Sequence, residues 1–398
     1  MTDTAVAAVV DALRAQAVVD GHNDLLWEVR QQVGYDYTRM DLTQPVRTTR
    51  TDIPRMRAGG VGAQFWSVFV PSSLPGHEAV TMTLEQVDGA HQMIASFPEH
   101  LGLARTVTEV RAQVAAGRIA SLLGAEGGQS IGCSLAALRT LHLLGVRYMT
   151  LTHNDNVAWA DSATDVASCG GLTRFGVAVV HEMNRLGMLV DLSHVADTTM
   201  RAALAATRAP VIFSHSSARA QCDSPRNVPD DVLEATAAQG GVCMVTFVPE
   251  FVSPAAAVWR AEAAEQARSE GVRASDYVEF TTWAASYKLR HPKPEATIDD
   301  VVRHVEHVRE VAGLDHVGIG GDYDGTDSTP VGLEDVAGYP RLLTALAERG
   351  WSSAELQALT GANVLRVMAQ AESVARELQR TQAPSLATIE ELDGTPAA

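Results

Sequence analysis

Short apolar runs recur along the chain, each followed by an amphipathic stretch. They are AVVDGHND (17–24), VGAQFWSVFV (61–70), RIASLLGAEG (118–127), RYMTLTHND (147–155), MLVDLSHVA (188–196), PVIFSHSS (210–217), GVCMVTFVP (241–249) and HVGIGGDYDG (316–325). Most are continuous rather than alternating, the pattern of strands buried on both faces of a parallel sheet. Between them, SLAALRTLHLLG, RFGVAVVHEMNRLG and DDVLEATAAQGG repeat apolar residues at intervals of three and four and stop at glycine, which predicts helices. Strand and helix alternating in this way close most simply into a (β/α)8 barrel of TIM type.

The connection between the seventh and eighth runs, residues 250–315, is too long to be structureless in a compact domain. It predicts two or three helices that form a partial lid over the C-terminal face. Beyond the eighth run, GLEDVAGYPRLLTALAERG and SSAELQALTGANVLRVMAQA predict two more helices, and the last two dozen residues are expected to be loosely attached. The chain reads as one domain over 1–398, with a core at about 15–370.

Composition narrows the function classes. With 46% hydrophobic and 20% charged residues among 398, the chain can bury a large core. A formal net charge of −17 with no basic cluster argues against nucleic acid as a partner. The first residues carry Asp3 and Asp11 where an export signal needs a basic segment, and they read as an amphipathic helix. No apolar run is long enough for a membrane span, and the terminal ELDGTPAA lacks the tail of a lipid-anchor signal, so a cytoplasmic protein free of membranes is expected. Cys133, Cys169, Cys222 and Cys243 form no CxxC pair, which argues against a zinc knuckle or a dense disulfide framework, and reduced thiols are expected from the missing export signal.

The chemistry lies at the C-terminal ends of the apolar runs. His22 and Asp24, on one side of the first strand, can ligate one divalent ion. Glu126, flanked by glycines in GAEGG, is free to bridge two ions, and His194 and His215, each ending a strand as Ser-His, could hold the second. Imidazoles and carboxylates delivered in order by successive strands describe a metal pair at a barrel mouth, the place where such folds keep their active sites. His153 in LTHND could donate to a substrate carbonyl. Arg226 in SPRNVPDD suits a carboxylate, and Asp322 in GGDYDG could take a proton from a bridging water and pass it to a leaving nitrogen. Asp324 is expected to serve a turn, and His304 and His307 a solvated helix face. A site this deep, partly covered by the insertion, is expected to leave little room beyond two residues. One rival motif is present: Gly128-Gln129-Ser130-Ile131-Gly132 satisfies the GxSxG of a serine hydrolase, although Glu126, Gly127 and Gly128 intervene between the apolar strand and the turn.

In this order and spacing, DGHND, GAEGG, THND, DLSH, FSHSS, RNVPDD and GGDYDG resemble the membrane or renal dipeptidase family, a zinc-peptidase branch of the amidohydrolase superfamily. The resemblance spans roughly residues 15–370. It implies two zinc ions, with His22 and Asp24 on one, His194 and His215 on the other and Glu126 bridging. It further implies substrate binding by His153 and Arg226, acid–base work by Asp322, and small dipeptide substrates with tolerance of a C-terminal D-residue. Homodimers are common among relatives. Other small amides, lactones or β-lactams are the alternative substrates. MVTFV departs from the MVNFY usual in the family, so an aromatic hydroxyl is missing at Val248.

Overall fold

The computed structural model describes residues 2–394. Nine parallel strands form one sheet: β1 (Val18–Asn23), β2 (Val61–Phe69), β3 (Leu101–Leu103), β4 (Ile119–Glu126), β5 (Val146–Thr150), β6 (Leu189–Asp191), β7 (Ile212–Phe213), β8 (Val242–Val245) and β9 (Val317–Ile319). The order β2-β1-β9-β8-β7-β6-β5-β4, with β2 pairing back onto β4 from Ala63↔Ala120 to Phe69↔Glu126, closes eight of them into a barrel. The ninth, β3, was not legible as a strand. Its three residues pair with β4 at Ile119–Ser121, below the stretch where β5 takes over at Leu123, and a segment that short carries no periodicity.

The continuous apolar runs follow from burial on both faces. Val19, Phe65, Leu122, Tyr148, Leu189, Ile212 and Met244 share an inner cluster. Their strand neighbours, among them Val18, Trp66, Leu123, Met149, Val190, Phe213 and Val245, pack outward against the helices. The inner cluster also takes Val364, Leu365, Val367 and Met368 from the helix Asn363–Thr381. Several strands stop short of the runs that predicted them: β6 and β7 have three and two residues, because the backbone leaves the ladder to aim polar side chains inward. His194 and Asp322, just beyond β6 and β9, have φ of 67° and 59°, a region that non-glycine residues seldom occupy outside constrained sites.

Three expectations are corrected. The C-terminal segment is docked, not loose. Asp393 accepts from the backbone N–H of Arg174 and Phe175, capping the helix Arg174–Leu186, while the Ser385 carbonyl accepts from Arg139. The last four residues lie outside the described range. The insertion is narrower than 250–315, because the helix Ile298–Ala312 buries Val301, Val302, Val305 and Val308 against the barrel as an ordinary crossover helix. On that helix His304 is buried: Nδ1 accepts from Ala218 N–H at 3.0 Å, which leaves Nε2 to donate to the Val252 carbonyl at 3.2 Å.

What remains as insertion is the helix pair Pro254–Ser269 and Tyr277–Arg290, with a small core of its own built on Trp259, Ala263, Ala267, Phe280, Ala284 and Tyr287. Half-buried Lys293 ties it to the barrel, reaching Glu250 after β8 at 2.5 Å and Asp327 after β9 at 3.1 Å. Among the described residues no helix is long and apolar enough to cross a membrane.

Candidate active site

The residues singled out by sequence converge at the C-terminal mouth of the barrel. His22 is the penultimate residue of β1, and Asp24 comes directly after the strand. Glu126 is the last residue of β4. His153, His194, His215 and Asp322 come two or three residues after β5, β6, β7 and β9. All of these, with Arg226, are buried.

The carboxylate of Glu126 is divided. Its Oε2 lies 3.4 Å from His22 Nε2 and accepts from the Ser67 hydroxyl, whereas Oε1 lies 3.2 Å from His194 Nε2, 3.6 Å from His215 Nε2 and 3.7 Å from His153 Nε2. Asp24 Oδ2 meets His22 Nε2 at 3.2 Å, and the Nε2 atoms of His194 and His215 stand 2.9 Å apart. Two donor sets therefore face opposite oxygens of one carboxylate. Asp322 is nearer to this centre than a distant acid would be, its carboxylate falling within 4.8 Å of donor atoms of His22 and Asp24.

Tyr148 sets the tautomer of His22. The phenol donates to the Gly21 carbonyl at 3.2 Å, a group that can only accept, and so takes the His22 Nδ1 proton at 2.7 Å as an acceptor. The Nε2 lone pair is left aimed at Asp24 and Glu126, buried and with no hydrogen-bond partner. The ring can cross the barrel because Gly124 on β4 has no side chain: a Cβ there would lie 2.0 Å from Tyr148 Cζ. Bare imidazole nitrogens crowded around carboxylate oxygens fit divalent cations, and the mix of nitrogen and oxygen donors suits zinc.

The electrostatics agree with these roles. Burial lowers the pKa of His194 and His215, reinforced by Arg226 and neighbouring imidazoles, so both rings are neutral as ligands must be. Burial opposes the charging of His22 and of Glu126, but Tyr148, Glu126 and Asp24 raise the first and the nearby imidazoles lower the second, so the acids around His22 favour a positive charge there, a proton on Nε2 or a cation in its place. Asp322 is pushed well above the usual carboxylate range by burial, with Asp24 and Glu126 adding to the effect. Burial also keeps His153 neutral.

Arg226, 3% exposed, has Nη atoms that reach Ser216 Oγ and the His215 carbonyl only at 3.4 Å, and its Nε has no partner. It lies over the Phe251 ring at 5.0 Å, and burial lowers its pKa to about 10. A buried guanidinium so weakly paired is poised for an anion. Asp324, the competing acid two residues on from Asp322, accepts from the Arg50 N–H at 2.6 Å through Oδ1, which ties it to the neighbouring loop.

These groups open into a cavity of about 990 Å³, lined by Trp27, Phe69, Val248 and Phe251 from the barrel and by Ala257, Ala261 and Ala264 from the insertion. That is the upper end for small-molecule sites. The chamber is roomier than the sequence reading expected, which leaves the choice of substrate length to the Arg226 clamp rather than to space. Ser130 of the GxSxG motif is buried in a 3-10 turn, with its hydroxyl unpartnered, and makes no serine–histidine pair. Sequence reasoning missed Tyr148, Asp191, Ser214 and Asp20, whose buried carboxylate accepts the backbone N–H of His22 at 3.2 Å and of Gly321 at 2.8 Å. The two acids carry a signal in hindsight, a carboxylate inside the apolar runs AVVDGH and LVDLSH.

A parallel barrel with this donor set at its C-terminal mouth defines a metal-dependent hydrolase. Residues 6–382 match the model of the membrane dipeptidase family, peptidase family M19, and the chain belongs to that family of metallo-dipeptidases. Among solved structures it is similar to the probable dipeptidase PvdM from Pseudomonas aeruginosa, at 22% identity and a TM-score of 0.81 over 94% of this chain and 100% of that one. It is also similar to a metallo peptidase from Rhodobacter sphaeroides liganded with a phosphinate mimic of the dipeptide L-Ala-D-Ala (24%, 0.74, 89% and 99%). A third relative is a dipeptidase of family M19 (25%, 0.73, 89% and 98%).

Proposed function

We propose that this chain is a binuclear zinc dipeptidase that hydrolyses free dipeptides and accepts a D-residue at the C-terminal position. The observation that carries the reading is the divided carboxylate of Glu126, one oxygen toward His22 and the other toward His194 and His215. The L-Ala-D-Ala mimic bound by the Rhodobacter sphaeroides relative supports the substrate class.

His22, Asp24 and Glu126 would hold one ion, and Glu126, His194 and His215 the other. When bound, such a pair acidifies a shared water and polarises the scissile carbonyl. Asp322 faces this centre with a raised pKa, which suits a group that takes the proton of the attacking water and returns it to the departing amine. Neutral His153 donates an N–H to the carbonyl oxygen as negative charge develops there. Arg226 forks onto the free C-terminal carboxylate. The clamp fixes the C-terminal end, which places the bond preceding the last residue at the metal centre.

The reading is tested by metal analysis of the purified protein together with a panel of L,L- and L,D-dipeptides, lactones and a β-lactam. Two equivalents of zinc and turnover of both dipeptide series are expected. A metal-free active enzyme, or a preference for lactones, would overturn it. Asp322→Asn is expected to lower kcat by about 10²–10⁴-fold while leaving bound metal near normal. Loss of metal along with activity would instead make Asp322 a ligand, which its distance from His22 and Asp24 also allows.

A further inference from the structure

The two metal-binding imidazoles that carry an anchored Nδ1 are anchored by different chemistry. Behind His22 stands a neutral phenol. Behind His215 stands Ser214, whose hydroxyl lies 2.8 Å from His215 Nδ1 and donates to Asp191 Oδ2 at 2.6 Å. That carboxylate is fully buried and saturated. Oδ1 accepts the backbone N–H of Ser193 at 3.1 Å and of Ser214 at 2.8 Å, and Oδ2 also accepts from the Thr150 hydroxyl at 2.5 Å. The Ser214 backbone has little freedom, because its carbonyl oxygen fills the space of a side chain at Gly320, 1.8 Å from where a Cβ would sit.

We infer that Asp191 is a positioning residue for the second metal ion, acting through the direction of the hydrogen-bond relay Asp191–Ser214–His215. A serine hydroxyl has one proton. With that proton given to Asp191, Ser214 can only accept from His215, so Nδ1 keeps its hydrogen and the Nε2 lone pair is presented to the metal beside His194. The relay also brings negative charge to the poorer site. The first ion has Asp24 and Glu126 among its proposed ligands, whereas the second has two neutral imidazoles and a shared Glu126. Outer carboxylates behind ligating histidines raise their basicity and fix their orientation, typically worth 10–100-fold in metal affinity.

The inference rests on the two-ion reading, and its test separates the two. In Asp191→Asn the two backbone N–H groups on Oδ1 require an acceptor there, which forces the amide NH2 into the Oδ2 position. Ser214 then accepts from the amide, and His215 Nδ1 is the acceptor left beside its hydroxyl, so its proton turns to His215, the ring hydrogen moves to Nε2 and the ligand is blocked. Ser214→Ala merely removes the relay. Adding Ser214→Ala to Asp191→Asn should therefore rescue binding, a result that simple damage to the fold does not produce.

Zinc binding to the metal-free protein would be measured by competition with a chromogenic chelator, with thermal melts of the metal-free forms alongside. The expected order is a loss of about 100-fold in affinity for the second ion in Asp191→Asn and about 10-fold in Ser214→Ala, with the double variant close to Ser214→Ala and the first ion unchanged. Two-ion binding of unaltered affinity in Asp191→Asn, or a double variant as weak as Asp191→Asn, overturns the relay. A parent protein that saturates at one ion overturns the two-ion reading itself.

Discussion

Glu126→Ala is expected to yield a folded protein with almost no bound metal and at least about 10³-fold less activity. Both proposed ions share this one carboxylate. Without it each is left with two protein ligands, His22 and Asp24 or His194 and His215, one short of the three that catalytic zinc sites carry. Loss of a single preorganised electrostatic group in an active site already costs about 10²–10³-fold, and here the groups that generate the nucleophile are lost with it. Glu126→Gln makes the result sharper. It preserves shape and volume but offers one oxygen instead of two, so it can serve either donor set and not both. About one equivalent of metal should remain, with activity still severely reduced. Elemental analysis after dialysis, together with turnover of a free dipeptide, reads both outcomes. Two equivalents of metal in Glu126→Ala would show that the bridge is not what holds the pair.

The second large effect is expected at Arg226. Its guanidinium is buried with one nitrogen unpartnered and the others in long contacts, so a substrate carboxylate would gain a charge-assisted, two-pronged interaction worth about 2–4 kcal/mol. Arg226→Ala should lower kcat/KM for free dipeptides by about 30–700-fold, the same energy expressed as a rate. For dipeptides amidated at the C-terminus, which are poor substrates of the parent enzyme, it should change little. Arg226→Lys should not restore the loss, because a point charge cannot reproduce the fork or its stacking on Phe251. Equal losses on acid and amide substrates would reassign Arg226 to a structural role.

Much of the site was legible because the metal-capable residues terminate apolar runs, and a parallel barrel brings all its strand ends to one face. His22, Asp24, Glu126, His153, His194, His215 and Asp322 follow from that rule alone. What escaped depends on distances that a linear pattern does not encode. Leu101–Leu103 pairs with β4 although three residues carry no period. His304 is exposed by helical spacing only until two backbone groups, at Ala218 and Val252, close on it. The C-terminal tail is polar enough to look free, yet Asp393 completes the first turn of a helix more than two hundred residues earlier in the chain. Likewise, Tyr148 and Asp191 look like core residues until the ring nitrogens they command are located across the barrel.

The cavity wall made by Ala257, Ala261 and Ala264 bears on how such an enzyme can change. These residues recur along one face of a helix that belongs to the insertion, with its own small core, while every proposed metal ligand belongs to the barrel. One wall of the substrate chamber and the chemistry performed in it thus reside in separately built parts of the chain. A larger side chain at any of the three alanines would narrow the chamber without moving a strand end, so selectivity can drift by single substitutions while the hydrolytic apparatus is inherited intact.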